Sequence, residues 1–184
     1  LHLCHHNLET IDTTSTKHDL LAEVCMAAKY EGQSIKTYYT IHQQKYPDSQ
    51  LCTVLARSFA DIGDIVRGKD LFYGNTQEKE KREDLEKNLK GIFAKIHSEV
   101  TNGNKDAKDR YNDNDKNFFK LREDWWALNR DQVWKAITCS ADKGNAYFRH
   151  TCGAGKDRTQ TQDNCRCPNG DVPTYFDYVP QFLR

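Results

Sequence analysis

Apolar residues recur every three or four positions along most of the chain, which is the period of an α-helix with one buried face. The first such segment spans residues 15–31, a more polar one spans 33–46, and a third spans 49–67. The apolar face of the third segment consists of Leu51, Leu55, Phe59, Ile62 and Val66. Helix-ending residues follow the three segments in turn, namely Gly32, Pro47 and Gly68. The pattern therefore predicts three helices in the first 67 residues.

A long charged helix is predicted next. Residues 77–100 read QEKEKREDLEKNLKGIFAKIHSEV, and their first turns carry almost only charged side chains. The apolar stripe comprises Leu85, Leu89, Ile92, Phe93, Ile96 and Val100. Because the first turns lack this stripe, we expect them to project into solvent. Residues 101–115 show no period and are interpreted as a mobile polar loop.

All three tryptophans lie within ten residues of one another, in the segment LREDWWALNRDQVWKAITC (121–139). Such a cluster could form an aromatic binding platform or the interior of a helix bundle. Two adjacent apolar stripes run along this segment, and together they cover more than half of a helix circumference. One stripe contains Phe118, Leu121, Trp125, Leu128 and Gln132, and the other contains Trp126, Val133, Trp134 and Ile137. We therefore interpret the three tryptophans as core residues of a bundle.

Residues 140–172 have no helical period and are rich in Gly, Asp, Asn and Cys. We interpret them as a loop held by disulfides, and we expect a further helix to begin near Tyr175. Strand patterns are weak throughout the chain. The predicted fold class is mainly α, a disulfide-stapled helix bundle.

Composition restricts the classes of function. The 184 residues suit one domain or a large piece of one, and 27 basic residues balance 27 acidic ones. A net charge of zero argues against nucleic acid or an anionic membrane as the partner. No run of 18 apolar residues occurs, and the N-terminus LHLCHHNLET lacks the pattern of a signal peptide. We therefore expect no membrane segment here, and any anchoring signal is expected to lie outside these residues.

Seven cysteines are dispersed along the chain without a CxxC spacing. They are Cys4, Cys25, Cys52, Cys139, Cys152, Cys165 and Cys167. Disulfides in an oxidising compartment explain this number better than zinc does. The adjacent ligands His5 and His6, beside Cys4, rarely serve one tetrahedral zinc ion. We predict no metal site and no cofactor.

Catalytic motifs are missing from the sequence. The segment GAGKDRT (153–159) lacks the spacer and the hydroxyl residue of a phosphate-binding loop. Asp61, Asp64 and Arg67 share one helix face and could bind a cation, but we favour an ion-pair relay with a neighbouring helix. We therefore predict a cysteine-stapled recognition domain rather than an enzyme.

Three long motifs carry a specific resemblance. They are QLCTVLARSFADIGDIVRGKDLF (50–72), REDWWALNRDQVWKAITC (122–139) and CRCPNGDVPTYFDYVPQFLR (165–184), in this order. Together they resemble the Duffy-binding-like domains of malaria parasites, most closely the alpha class of the Plasmodium falciparum variant erythrocyte membrane protein (var) adhesins. The resemblance covers nearly the whole chain, and only 73–117 and 140–164 are idiosyncratic.

The resemblance implies a helical fold of three subdomains. This chain would hold the end of the first (about 1–12), the second (13–172) and the start of the third (173–184). It also implies display on the surface of the infected erythrocyte, as an extracellular part of a membrane-anchored virulence protein. The implied function is adhesion to erythrocytes, including rosetting, or to endothelium, through protein receptors, blood-group sugars or sulfated glycans such as heparan sulfate. Host antibodies and adjacent domains of the same adhesin are further implied partners.

A second interpretation of the same resemblance assigns no receptor site to this piece. In that case the chain is a structural and antigenically variable segment that supports neighbouring binding domains. The two interpretations differ in whether the piece alone binds cells or glycans.

The resemblance further implies a disulfide pairing. Duffy-type relatives retain cysteines like Cys52 and Cys152 but lack those like Cys25 and Cys139, and loss as a pair suggests bonding as a pair. We therefore expect Cys25–Cys139 and Cys52–Cys152, with Cys152–Cys165 as the main alternative. The remaining expected bonds are Cys4 to an upstream partner and one or both of Cys165 and Cys167 to downstream partners.

Sulfated glycans are bound by Arg and Lys, so basic clusters are candidate contact sites. One cluster lies on the charged helix and comprises Lys79, Lys81, Arg82, Lys87 and Lys90. Interleaved glutamates make a solvated helix face the simpler interpretation there. The other lies in the cysteine loop and comprises Lys143, Arg149, His150, Lys156, Arg158 and Arg166. We prefer the loop, because disulfides at its base would reduce the entropy lost on binding.

Overall fold

The structure, a computed structural model, describes residues 17–45, 50–70, 75–112 and 116–184. These residues form five α-helices: α1 (Lys17–Lys45), α2 (Leu51–Arg67), α3 (Thr76–Thr101), α4 (Lys105–Arg110) and α5 (Phe119–Ile137). Three single-turn 3-10 helices follow at Asp163–Cys165, Phe176–Tyr178 and Gln181–Leu183. The mainly helical class is confirmed. Cys4, His5, His6 and the expected end of a first subdomain lie outside the described residues.

Helix α1 is one continuous helix, so the expected division at Gly32 is wrong. Gly32 is buried, and a Cβ added to it would overlap the backbone carbonyl of Ile137 at the end of α5. The glycine therefore permits close approach of two helices instead of ending one. A second buried link joins α1 to α2, where Ser58 donates a 2.8 Å hydrogen bond to the carboxylate of Glu31.

Helix α2 ends as its sequence predicts. Gly68 has a left-handed backbone (φ 71°), and the N–H groups that follow the helix return to the carbonyls of Asp64 and Ile65. The apolar face of α2 is buried, including Leu55, Phe59 and Ile62 at 1% exposure or less.

Helix α3 begins with a capping box between Asn75 and Glu78, in which each side chain binds the backbone N–H of the other. Its buried residues start at Leu85, so the charged first turns face solvent as predicted. The interpretation of 101–115 as a loop is wrong for α4, whose first turn is capped by the side chain of Asn104.

Helix α5 crosses the interior of the bundle. Trp125, Trp126 and Trp134 are 6%, 0% and 1% exposed, which agrees with the core interpretation. The ring of Phe59 lies 5.2 Å from Trp126 and 5.2 Å from Trp134, measured between centroids, at angles that favour aromatic contact. Leu128, which the pattern placed on an apolar stripe, is 78% exposed, so that assignment is wrong.

The segment after α5 is held by two disulfides that differ from those expected. Cys52 bonds Cys165 and Cys152 bonds Cys167, with Cα–Cα distances of 5.4 Å in both cases. The expected Cys52–Cys152 bond and its alternative Cys152–Cys165 are therefore wrong. The expectation of downstream partners for Cys165 or Cys167 is wrong as well, because both are bonded to cysteines of this chain. Cys165, whose backbone has a positive φ of 62°, is joined in this way to the first turn of α2.

The expected Cys25–Cys139 bond is also wrong, since both residues carry free thiols. Gly32 faces Ile137, and Lys36 binds Asp142 just beyond α5. The two residues of each pair are separated by nearly the same number of positions, so α1 and α5 run parallel. Cys139 is therefore level with about residue 33, roughly 12 Å beyond Cys25 along the helix axis at 1.5 Å per residue. A disulfide requires Cα atoms within about 7 Å.

The last residues of the chain pack on α2 and α5 through 3-10 turns rather than the α-helix expected near Tyr175. Asp177 is 0% exposed. Its carboxylate accepts hydrogen bonds from the indole N–H of Trp126 at 2.9 Å and from the guanidinium of Arg130 at 2.7 and 2.8 Å. The buried carboxylate is thus paired with Arg130 and hydrogen-bonded to Trp126.

Candidate functional site

The cysteine loop, defined as residues 140–172, presents an exposed tip. An antiparallel bridge between Cys152 and Thr159 closes the tip, with hydrogen bonds of 3.0 and 2.9 Å between their backbones. All residues from 153 to 160 are exposed. Gly153 has a positive φ of 92°, a backbone conformation that glycine adopts without strain. The tip therefore projects from a base that the Cys152–Cys167 bond holds in place.

The cations of this tip are free of acidic partners. Lys156 and Arg158 are exposed and form no ion pair within the described part of the chain, and the same holds for Lys143. Asp142, the acid next to Lys143, is bound by Lys36 at 2.7 Å. Its charge is therefore already compensated. Asp157 is exposed between Lys156 and Arg158 and offsets part of their charge, so the tip from 153 to 160 carries two basic residues and one acidic residue.

Arg149 and His150 are also exposed, and the guanidinium of Arg149 lies over the Phe148 ring at 5.0 Å. Phe148 is 42% exposed and was not predicted as part of a site. Its position beside an arginine in sequence is the signal that could have identified it. Aromatic faces and guanidinium groups are both common at recognition surfaces.

Arg166 is directed inward, in contrast to the other basic residues of the loop. Its guanidinium donates to the carbonyl of Lys135 at 2.6 Å and to the hydroxyl of Thr138 at 2.9 Å. Arg166 thus caps the C-terminal end of α5, where a cation is favoured by the helix dipole. This geometry assigns Arg166 to holding the loop against the bundle.

The second predicted cluster, on α3, is interleaved with acids. Lys79 lies 3.8 Å from Glu83, and Lys90 lies 3.7 Å from Glu86. Arg82 binds Asp70 at 3.1 Å. Lys81 and Lys87 are exposed on the same helix. The face is therefore a charged helix surface with local pairing, as the solvated interpretation predicts.

An open groove of about 630 Å³ runs beside this face, between α3, the C-terminal end of α2 and the N-terminal end of α5. Beneath it, Arg122 is fully buried and binds the carboxylate of Glu86 through two hydrogen bonds of 2.7 and 2.9 Å. Arg122 also donates to the carbonyls of Val66 and Ile65 at the end of α2. The structure brings Lys79, Arg82, Lys87 and Lys90 together along this groove.

The carboxylates on α2 form an ion-pair relay, but with Arg67 of the same helix and Arg184 at the end of the chain rather than with the neighbouring helix expected from the sequence. Helix α5 contributes Glu123, which lies 3.5 Å from Arg67. Arg67 binds Asp64 at 3.0 Å, and Arg184 binds Asp61 at 3.0 Å and Asp64 at 2.7 Å. Burial raises the pKa of Asp61 and Asp64, and the neighbouring Arg184 opposes that rise. The relay joins the end of the chain to α2. Arg184 was not among the predicted site residues, and no local sequence pattern indicates its role.

Metal binding and membrane insertion find no support in the described residues. Over 17–45, 50–70, 75–112 and 116–184, no group of three His, Cys, Asp or Glu side chains could hold a metal ion. None of the helices in these ranges is long and apolar enough to cross a bilayer.

Comparison with solved structures finds close relatives among malaria adhesins. The N-terminal NTS-DBL1-alpha and CIDR-gamma double domain of PfEMP1 from the Plasmodium falciparum varO strain is 44% identical, with a TM-score of 0.78. The chain is covered to 99% and spans 25% of that structure. The varO NTS-DBL1(alpha-1) domain alone is also 44% identical, with a TM-score of 0.77, and the chain spans 40% of it.

A more distant relative is the ICAM-1-binding DBLbeta domain of the PfEMP1 variant IT4var13, which is 30% identical with a TM-score of 0.68. The chain is covered completely and spans 39% of that structure. Comparison with curated proteins gives no match. The Duffy binding domain family matches residues 1–184. The chain therefore belongs to the Duffy binding domain family, whose members are adhesive rather than catalytic, and it resembles the alpha-class domains of PfEMP1.

Proposed function

We propose that this chain is part of a host-cell adhesion module, and that the tip of its cysteine loop contacts an anionic ligand such as a sulfated glycan. The module is displayed on the infected erythrocyte as an extracellular part of a larger membrane protein. Its targets are erythrocyte or endothelial surfaces, and rosetting is one of its outcomes. The chain comprises the end of one subdomain (about 1–12), a second (13–172) and the start of a third (173–184).

The observation that supports the loop is the contrast in charge pairing between the two basic surfaces. Lys156 and Arg158 lack acidic partners in the described part of the chain, whereas Lys79 and Lys90 each lie within 4 Å of a glutamate. A cation that is already paired must give up an ion pair before it binds a sulfate. The free cations of the tip therefore gain more from an anionic ligand.

Attachment of the loop supports the same proposal. The base of the tip is held by the Cys152–Cys167 bond, and Arg166 ties the adjoining segment to α5. A tip on a fixed base loses less conformational entropy when it binds than a free loop would. Membership of a family with a receptor-binding relative, the ICAM-1-binding DBLbeta domain, supports adhesion as the general class of function.

The test compares two charge-matched double variants of the oxidised chain on immobilised heparin. Lys156→Ala with Arg158→Ala should lower the affinity at least about tenfold, since two charge-assisted contacts are lost. Lys79→Ala with Lys90→Ala removes the same charge from α3 and should change the affinity by less. Retention should fall as salt rises.

Unchanged retention of the loop variant would exclude the tip, and a larger loss in the α3 variant would assign binding to the groove. Failure of the unmodified chain to bind heparin or erythrocytes, with binding by the complete head domain, would favour the alternative function. In that case the chain is an antigenically variable support for neighbouring domains.

A further inference from the structure

Two asparagines of the chain are followed by glycine, Asn102–Gly103 and Asn169–Gly170. Asparagine is a thermolabile residue, and a following glycine leaves the backbone nitrogen open to approach because no Cβ shields it. The same dipeptide occurs in two different settings, so the fold itself determines how each one reacts.

Asn169 is restrained in the cysteine loop. Its side-chain amide donates to the carboxylate of Asp171, and its side-chain oxygen accepts from the backbone N–H of Asp171 at 3.2 Å. The N–H of Gly170 donates to the carbonyl of Cys167 at 3.0 Å. Both reacting groups, the side-chain amide and the next backbone nitrogen, are thus held by hydrogen bonds that must break before they can meet.

Asn102 lies in the turn between α3 and α4, where both reacting groups are unrestrained. Its side chain is exposed and makes no hydrogen bond to the described residues, and the N–H of Gly103 likewise finds no acceptor among them. No atom lies within 4 Å of the position where a Cβ of Gly103 would stand.

The ends of this turn, by contrast, are fixed. The backbone N–H of Asn102 donates to Ser98 at 3.1 Å, and that of Asn104 donates to Thr101 at 3.3 Å. The free dipeptide therefore lies between two anchored helix ends, so the helices need not unfold for its groups to meet.

We propose that Asn102 is a site of spontaneous deamidation in the folded protein, whereas Asn169 is protected by the fold. The backbone nitrogen of Gly103, after losing its proton to solvent base, attacks the side-chain carbonyl carbon of Asn102. A C–N bond forms, the C–N bond to the side-chain amide breaks, and ammonia leaves. Water then opens the cyclic imide to aspartate or isoaspartate, so water and base are the only co-reactants.

The modification changes the local charge. A chain with equal numbers of acidic and basic residues gains one negative charge, at the C-terminal end of α3. The helix dipole disfavours an anion at that end. The product with isoaspartate also lengthens the backbone within the turn that joins α3 to α4.

The experiment incubates the oxidised chain at mildly alkaline pH and follows both dipeptides by tandem mass spectrometry, which distinguishes Asn102 from the neighbouring Asn104. Before the incubation, a helical far-UV circular dichroism spectrum and mapping of both disulfides establish that the chain is folded. Asn102 should react at least about tenfold faster than Asn169, because three hydrogen bonds restrain the latter. In the reduced chain in denaturant the two rates should become similar.

Two variants complete the test. Asp171→Ala removes the carboxylate that accepts from the Asn169 side-chain amide, and it should accelerate reaction at Asn169 while leaving Asn102 unchanged. Asn102→Gln should abolish the reaction in its peptide, because the longer side chain does not form the five-membered ring readily. Equal rates at the two asparagines of the folded chain, or no reaction at Asn102, would overturn the proposal.

Discussion

The helix bundle buries and pairs charged side chains, whereas the tip of the cysteine loop exposes them. In the bundle, Arg122 and Asp177 are fully buried, and each is bound by several partners. In the loop, Lys156 and Arg158 face solvent without acidic partners in the described residues. Buried charges must be paired to be tolerated, while exposed ones are available for a ligand. The buried charges therefore stabilise the fold, and the exposed ones are those that our proposal assigns to ligand binding.

The two regions meet at a few specific bonds. Cys165 is joined to Cys52 in α2, and the carbonyl of Cys165 accepts a 3.1 Å hydrogen bond from the indole N–H of Trp134. The second disulfide, Cys152–Cys167, lies within the loop region itself. One bond therefore links loop to bundle, and the other shapes the loop alone.

Removing the disulfides should give the largest effects and should separate these two roles. The Cys52–Cys165 bond spans 113 residues, and its replacement by two serines should lower the free energy of unfolding by about 5 kcal/mol in the chain-entropy model. The Cys152–Cys167 bond spans 15 residues and should contribute about 3 kcal/mol. Denaturant unfolding followed by tryptophan fluorescence measures both.

Heparin retention provides the second measurement for these variants. Loss of the Cys152–Cys167 bond should weaken heparin retention by more than the accompanying loss of unfolding free energy would explain, because the fixed base of the tip is lost. Equal loss of stability in the two variants would show that the loop and the bundle form one cooperative unit without separate roles.

Removal of the Asp177 carboxylate comes next in size. Asp177→Ala leaves Arg130 and the Trp126 indole without their buried acceptor and should cost about 3–5 kcal/mol of unfolding free energy. Asp177→Asn keeps one acceptor oxygen and should cost less. Asp84→Ala, at an exposed position of α3, is the charge-matched control and should be close to neutral. A similar small effect for Asp177→Ala would mean that the end of the chain is detached from the bundle in solution.

The smallest effect concerns an ion pair at the edge of the bundle. Two hydrogen bonds from Arg110, at 2.7 and 2.8 Å, lower the pKa of Asp124, and Tyr111 contributes a third. A carboxyl with a lowered pKa in the folded state stabilises it above the ordinary aspartate pKa of about 3.9, and that contribution disappears as pH falls through the folded value.

The stability difference between the unmodified chain and Asp124→Asn should therefore be present near neutral pH and vanish in acid. Urea unfolding at a series of pH values measures it. A difference that grows on acidification would contradict the assigned sign.

Much of the bundle was predictable because it depends on local periodicity. The face of α2, the charged start of α3 and the burial of the tryptophans all follow from spacings of three and four. Gly32 shows where that reasoning fails. A glycine after an apolar run is typical of a helix end, yet here it serves contact with Ile137, a residue more than a hundred positions away.

The disulfides and the charged contacts of the chain end were not predictable from local pattern. Pairing of Cys52 depends on which cysteine the folded backbone brings to the first turn of α2, and sequence spacing carries no such information. The inward position of Arg166 likewise depends on the Lys135 carbonyl and the Thr138 hydroxyl at the end of α5. The α4 helix had a readable signal, the capping residue Asn104, but six residues are too few to show a period.

The exposed tip of the cysteine loop has a consequence for sequence change. Residues 153–160 are exposed, and the Cys152–Thr159 bridge and the Cys152–Cys167 disulfide hold the base from which they project. Lengthening such a loop costs only about 0.6 kcal/mol for each doubling of its length, and surface replacements away from special features stay within about 0.5 kcal/mol. Insertions and replacements can therefore accumulate there while the tryptophan core is preserved, so new surfaces can arise on an unchanged scaffold.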